Sequence, residues 1–220
     1  MKKFKSIAVV FLTIILVACN PDNLTEIEVK IKRAQNGDAE AQFGVGAMYS
    51  KGDGVIKNST EALKWYRLAA EQGNAKAQTY LGRLYLYGIN VPQDDAEAVK
   101  WIRLAADQGE ATGQAILANM YSRGKGVPQN DEAAVKLYRI VAQQGNSDAQ
   151  LILGLNYSRG RGVPKNDIKA YSWYSLAAAQ GNPAANDQKA RLANKMTQEQ
   201  IAQAESLSIR CLDSKYNDCD

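Results

Sequence analysis

The 220-residue chain has no histidine, three cysteines, five prolines and three phenylalanines. The missing imidazole excludes Ser-His-Asp and Cys-His catalysis, His-ligated zinc and a histidine pH switch. Charge of one sign is scarce too. Three units of the formal net charge of +4 belong to Lys2, Lys3 and Lys5, and the rest of the chain is too near neutral for a nucleic-acid partner. No apolar run reaches the roughly 20 residues that span a bilayer. With 45% hydrophobic residues, the chain is nevertheless apolar enough to fold around a core.

Residues 1–18 combine the basic start with an apolar run from Ile7 to Val17, interrupted only by Thr13 and stopped by Asn20, Pro21 and Asp22. This is the pattern of a secretory signal rather than an anchor. The sequence Leu16-Val17-Ala18-Cys19 resembles the lipobox of bacterial lipoproteins, which implies cleavage before Cys19 and acylation of its thiol. Two or more acyl chains hold a protein stably on a membrane. Asn20, in place of an aspartate, resembles an outer-membrane address, so a lipid-anchored protein facing the periplasm is expected, with residues 19–23 as a tether. In that oxidising setting Cys211 and Cys219 are expected to pair, closing a nine-residue loop. Free or redox-active thiols are the alternative, disfavoured by the absence of C-x-x-C spacing.

Glycines recur every 36 residues at Gly37, Gly73, Gly109, Gly145 and Gly181, and Tyr49, Tyr85, Tyr121 and Tyr157 keep the same period. The chain is therefore a repeat protein, with units at 37–72, 73–108, 109–144 and 145–180. Each unit reads as two helices. The first starts after the glycine, with Asp38, Asn74, Glu110 or Asn146 at the cap position, glutamate being the poorest of these. It ends in a Gly-rich turn such as Arg123-Gly124-Lys125-Gly126-Val127-Pro128. The second starts near Ser59, Asp95, Asp131 or Asp167 and runs to the next repeat glycine. Its expected buried stripe is Trp65, Trp101, Leu137 and Trp173 beside paired small residues, so Trp101→Ala is expected to cost about 3–5 kcal/mol. Small residues at Gly46, Gly82, Ala118 and Gly154 mark close helix approach. Residues 24–36 and 181–220 read as capping segments, the latter with a Thr197-x-x-Gln200 capping box.

The run Ala-x3-Leu-Gly-x2-Tyr-x2-Gly-x2-Val-Pro, continuing to Ala-x2-Trp-x3-Ala-Ala-x2-Gly over residues 77–109, resembles the Sel-one-like repeat, a relative of the tetratricopeptide repeat. That resemblance implies an all-α, α/α solenoid of about four helix-turn-helix repeats, wound as a right-handed superhelix with a concave inner face. It also implies a protein-binding scaffold, expected to be monomeric. An envelope adaptor and an immunity protein masking a toxic effector are both roles the resemblance allows. Some cysteine-rich relatives are described as acting on penicillins, so a cell-wall-related enzyme or binding module is the alternative. Those relatives carry a cysteine pair in nearly every repeat, and this chain has none inside its repeats.

Little else points to catalysis, and no catalytic residue, metal or cofactor is expected. Ser122-x-x-Lys125 has the spacing of a serine-lysine nucleophile but sits at a helix end, with no Ser-Asp-Asn or Lys-Thr-Gly partner. Asp94-Asp95-Glu97 reads as the acidic first turn of a helix rather than a calcium site. By the 100° helical step and the family's superhelix, the first-helix positions opposite the apolar stripe line the groove: Phe43, Ala47, Thr79, Arg83, Leu86, Asn119, Leu151 and Leu155. Apolar anchors among polar contacts suit a protein interface. A second candidate surface is the basic turn set Lys51, Arg123, Lys125, Arg159, Arg161 and Lys165.

Overall fold

The computed structural model describes residues 21–216 together with Asp218 and Cys219, with side chains from Glu26 onward. The leader and Cys19 lie outside the described residues. Among those residues there are eleven helices and no strand: α1 (Pro21–Gln35), α2 (Ala39–Lys51), α3 (Ser59–Glu71), α4 (Ala75–Tyr87), α5 (Asp95–Asp107), α6 (Ala111–Arg123), α7 (Asp131–Gln143), α8 (Ser147–Arg159), α9 (Asp167–Ala179), α10 (Pro183–Ala193) and α11 (Gln198–Asp213). The chain is an all-α solenoid of tandem helix pairs. It divides between Asn74 and Ala75 into two compact units. In the first, α1 packs on α2 and α2 on α3; in the second, each helix from α4 to α9 packs on the next, and α9 also takes α10 and α11. Helix α1 already includes Pro21, the first described residue, so it covers the capping segment expected over residues 24–36.

Caps fix the helix starts. Asp38, Glu110 and Asn146 cap α2, α6 and α8 as expected. Helices α3, α5, α7 and α9 are capped one residue earlier than the sequence reading placed them, by Asn58, Asp94, Asn130 and Asn166. These residues are extended, near φ −150°, so their side-chain oxygens reach the amides two or three residues on. Asp95 and Asp131 are thereby released from capping. Each instead meets a cation from the next repeat's turn: Lys125 at 3.5 Å from Asp95 and Arg161 at 3.1 Å from Asp131. The turn itself needs glycine. A Cβ on Gly162, at φ +69°, would stand 2.3 Å from the Asp131 carbonyl oxygen, and Gly126 meets Asp95 in the same way. Asn90, at φ 59°, holds this phase in the second repeat, one of the few residue types that tolerate it.

The core lies one residue beyond the expected stripe. Trp65, Trp101 and Leu137 are only half-buried, and Trp101 keeps its Nε1 donating to Glu97 Oε1 at 2.8 Å. The buried positions are Tyr66, Ile102, Tyr138 and Tyr174. The correction has a steric cause: a Cβ on Gly46, Gly82 or Gly154 would approach Tyr66, Ile102 or Tyr174 within 2.6–2.8 Å. Missing side chains on the first helix make room for large ones on the second. Trp173 is the exception in the expected stripe; it is 1% exposed and joins Leu192, Ala204, Cys211 and Cys219 in one cluster under α10 and α11.

Polar contacts recur from repeat to repeat. Gln42, Gln114 and Gln150 donate to the carbonyls of Ala34, Ala106 and Ala142 at the end of the preceding helix. Gln72, Gln108 and Gln180 in turn donate to Gln42, Gln78 and Gln150. The third repeat breaks this chain, leaving the buried Gln114 Oε1 without a partner. Arg103 and Arg139 donate to the Tyr121 and Tyr157 hydroxyls at 3.2 and 2.6 Å. At the C-terminus, Thr197 and Gln200 form the reciprocal capping box, and Cys211 and Cys219 are joined by a disulfide.

Candidate interaction site

The expected groove positions divide by burial. Thr79 and Leu86 do not line a surface. Thr79 is buried, its hydroxyl donating to Glu110 Oε2 at 2.7 Å, and Leu86 joins Ala98, Val99, Ile102, Leu117 and Met120 in the core. Helix α4 turns both inward because its neighbours α5 and α6 cover those faces. Arg83 and Asn119 are exposed, and Leu151 and Leu155 are half-buried against the α7–α9 core. In the first unit, Phe43 leans on the Tyr66 ring, with centroids 5.6 Å apart, and Ala47 is half-buried.

Two groove residues, Asn119 and Leu155, meet at a cavity of about 310 Å³ among α6, α7 and α8. Ser122 and Arg123 reach it from the last turn of α6, and Tyr138 from α7. Ile152, Asn156 and Arg159 come from α8, and Arg161 from the turn that follows. Tyr138 is buried. Burial raises its hydroxyl pKa, against the Asn119 hydrogen bond and the Arg123 and Arg161 charges, which lower it. It stays a neutral phenol at physiological pH. The cavity thus offers guanidinium, amide and hydroxyl groups beside the apolar Ile152 and Leu155, with no carboxylate in its lining.

The basic turn set separates into two roles. Lys125 Nζ donates to the Leu86 carbonyl at 3.2 Å and pairs with Asp95. Arg161, one period later, donates to the Ser122 carbonyl at 3.0 Å and pairs with Asp131. These two bind one repeat to the next, and Lys165 pairs with Asp167 at 3.5 Å. Arg123 and Arg159 make no ion pair among the described residues, and both line the cavity. The Ser122-x-x-Lys125 spacing has no catalytic geometry here, since the lysine amine is committed to the preceding repeat and Lys125 is not part of the cavity that Ser122 lines. Within the acidic cluster, Asp94 caps α5, Asp95 pairs with Lys125, and Glu97 accepts from Lys100 and Trp101. No group of carboxylates and cysteines able to hold a metal occurs among the described residues.

Tyr138, Ile152 and Asn156 were not among the expected site residues. One of them left a sequence signal. Asn156 stands at a phase occupied by Met48, Leu84 and Met120, all buried, so a single polar departure from an apolar register marks the place.

Models of the Sel1 repeat match residues 39–74, 75–110, 111–146 and 147–182. The chain belongs to the Sel1 repeat family. Those boundaries fall two residues later than the units read from the glycines, with the same period. The chain is 34% identical to a Sel1 repeat protein from Oxalobacter formigenes whose crystal structure superposes with a TM-score of 0.70, over 82% of this chain and 75% of that one. A protective antigen of uropathogenic Escherichia coli with an SLR fold is 28% identical, with a TM-score of 0.58, over 86% of this chain and 50% of that one. No curated protein sequence matches. Repeats of this kind generally serve as interaction scaffolds rather than catalysts.

Proposed function

We propose that this Sel1 repeat protein is a non-catalytic, lipid-anchored lipoprotein of the bacterial envelope, facing the periplasm, and that it binds another protein through the face of α6 and α8 around Asn119 and Leu155. The observation that carries the binding role is the juxtaposition of two arginines without ion-pair partners, two amides and the half-buried apolar Ile152 and Leu155 in one cavity. Interfaces are built in this way, with apolar anchors set among directional polar groups. Support for the anchor is the Leu16-Val17-Ala18-Cys19 sequence behind a basic, apolar leader. Among the described residues no helix is long and apolar enough to cross a membrane.

The test has two arms. Cys19→Ser should move the protein from the membrane pellet to the soluble fraction, and unchanged pelleting overturns the anchor. Crosslinked envelopes carrying tagged wild type should yield a protein that is lost with Asn119→Ala/Leu155→Glu at unaltered helical content. Equal recovery from the variant overturns the binding face. A toxic effector as that protein would make the chain an immunity factor, and an envelope component would make it an adaptor.

A further inference from the structure

The cavity among α6, α7 and α8 restricts what the partner presents. Resting on the binding face just proposed, we infer that this cavity is a receptor for an acidic side chain, an aspartate or glutamate carried on a loop of the partner protein.

Arg123 and Arg159 occupy the same phase of consecutive repeats, and both line this cavity. Neither meets a carboxylate, whereas the turn cations Lys125, Arg161 and Lys165 each do. Asp131, the acid brought towards the cavity by its partner, is already held by Arg161 Nε at 3.1 Å. The cavity therefore keeps positive charge that nothing in its own lining balances. Planar guanidinium groups match a carboxylate bidentately, and the Asn156 position adds polarity where the other repeats place buried Met48, Leu84 and Met120. Ile152 and Leu155 receive the methylenes of the acidic residue and its neighbours. A last-turn arginine also complements its own helix dipole, which accounts for Arg123 and Arg159 singly. It does not account for a cavity that both line and that has no acid in its lining.

The experiment uses the full chain purified in detergent and immobilised, against a phage-displayed library of random twelve-residue peptides. The expected outcome is enrichment of peptides with an aspartate or glutamate flanked by apolar residues. A selected peptide should bind about tenfold or more weakly to Arg123→Gln/Arg159→Gln. Its own acid-to-amide version should lose a similar factor on wild type and nothing further on the variant. Inorganic phosphate and phosphatidylglycerol vesicles, added as competitors, should displace it only at concentrations that act through ionic strength; specific displacement by either makes the site a general anion or lipid site and overturns the inference. Enriched peptides without acids, lost with Leu155→Glu and retained by the arginine variant, also overturn it while leaving the protein-binding face intact. Peptides indifferent to both variants, or no enrichment at all, count against both readings.

Discussion

At the scale of single residues, position relative to a glycine decides which aromatic or aliphatic side chain is core. Ile102 is fully buried against Gly82, and Trp101 beside it is half-exposed under Lys100. Ile102→Ala is therefore expected to destabilise by about 2–5 kcal/mol and Trp101→Ala by about 1–2 kcal/mol, measured by urea denaturation. The reverse order would contradict the packing. The sequence reading favoured Trp101, but adjacent positions on one helix differ by 100°, and only the facing helix, with Gly82, selects Ile102 instead. Glu110 tests electrostatics at the same scale. Burial raises its carboxyl, but the Thr79 hydroxyl and the Gly113 and Thr112 amides outweigh burial and hold its pKa below the usual carboxylate value. A depressed folded-state pKa contributes stability above the unfolded value that is lost as pH falls through the folded one. Glu110→Gln should thus cost about 1 kcal/mol at pH 7, and the difference from wild type should shrink below about pH 4. A gap that widens in acid would contradict the assignment.

At the scale of elements, the helix pairs were legible because their signals are local: a 36-residue period, caps followed by apolar spacing, and glycines at turns. The contacts between repeats were not, since nothing local to Asp95 or Asp131 distinguishes a capping carboxylate from one that pairs with a cation thirty residues later. The same distance hid the burial of Thr79 and Leu86, which depends on Glu110 and on the α5–α6 pair. The turn following α8 tests this level. Gly162→Ala combines a positive φ with a Cβ 2.3 Å from a backbone oxygen of the preceding repeat, so it should lower stability by about 1–3 kcal/mol. Gly181→Ala, with nothing within 4 Å of its Cβ, should pay only the left-handed backbone cost of roughly 1 kcal/mol. Equal losses in thermal unfolding would mean that the turn does not press on its neighbour.

At the scale of the whole molecule, a solenoid gains stability repeat by repeat and needs its ends closed. Here α10 and α11 cover α9, burying Trp173, and the Cys211–Cys219 disulfide ties the tail to the end of α11 within the same cluster. Reducing that bond should cost about 2.5 kcal/mol by loop entropy and speed amide exchange in α11 before α5 or α6. Uniform loosening would contradict a local staple. The binding face is also a property of this level. Asn119 and Leu155 were legible as outward positions of successive first helices. The cavity that joins them was not, because it depends on Tyr138 from α7 and on Asn156 replacing an apolar residue.

The claim that this face binds a protein is tested most directly by site-specific photocrosslinking in living cells, with a benzophenone amino acid placed at Asn119 or Leu155 and, as a control, at the exposed Leu104 of α5. A discrete adduct of one mass from positions 119 and 155, absent at 104, is the expected result. No adduct at any position, or the same adducts at all three, would contradict it.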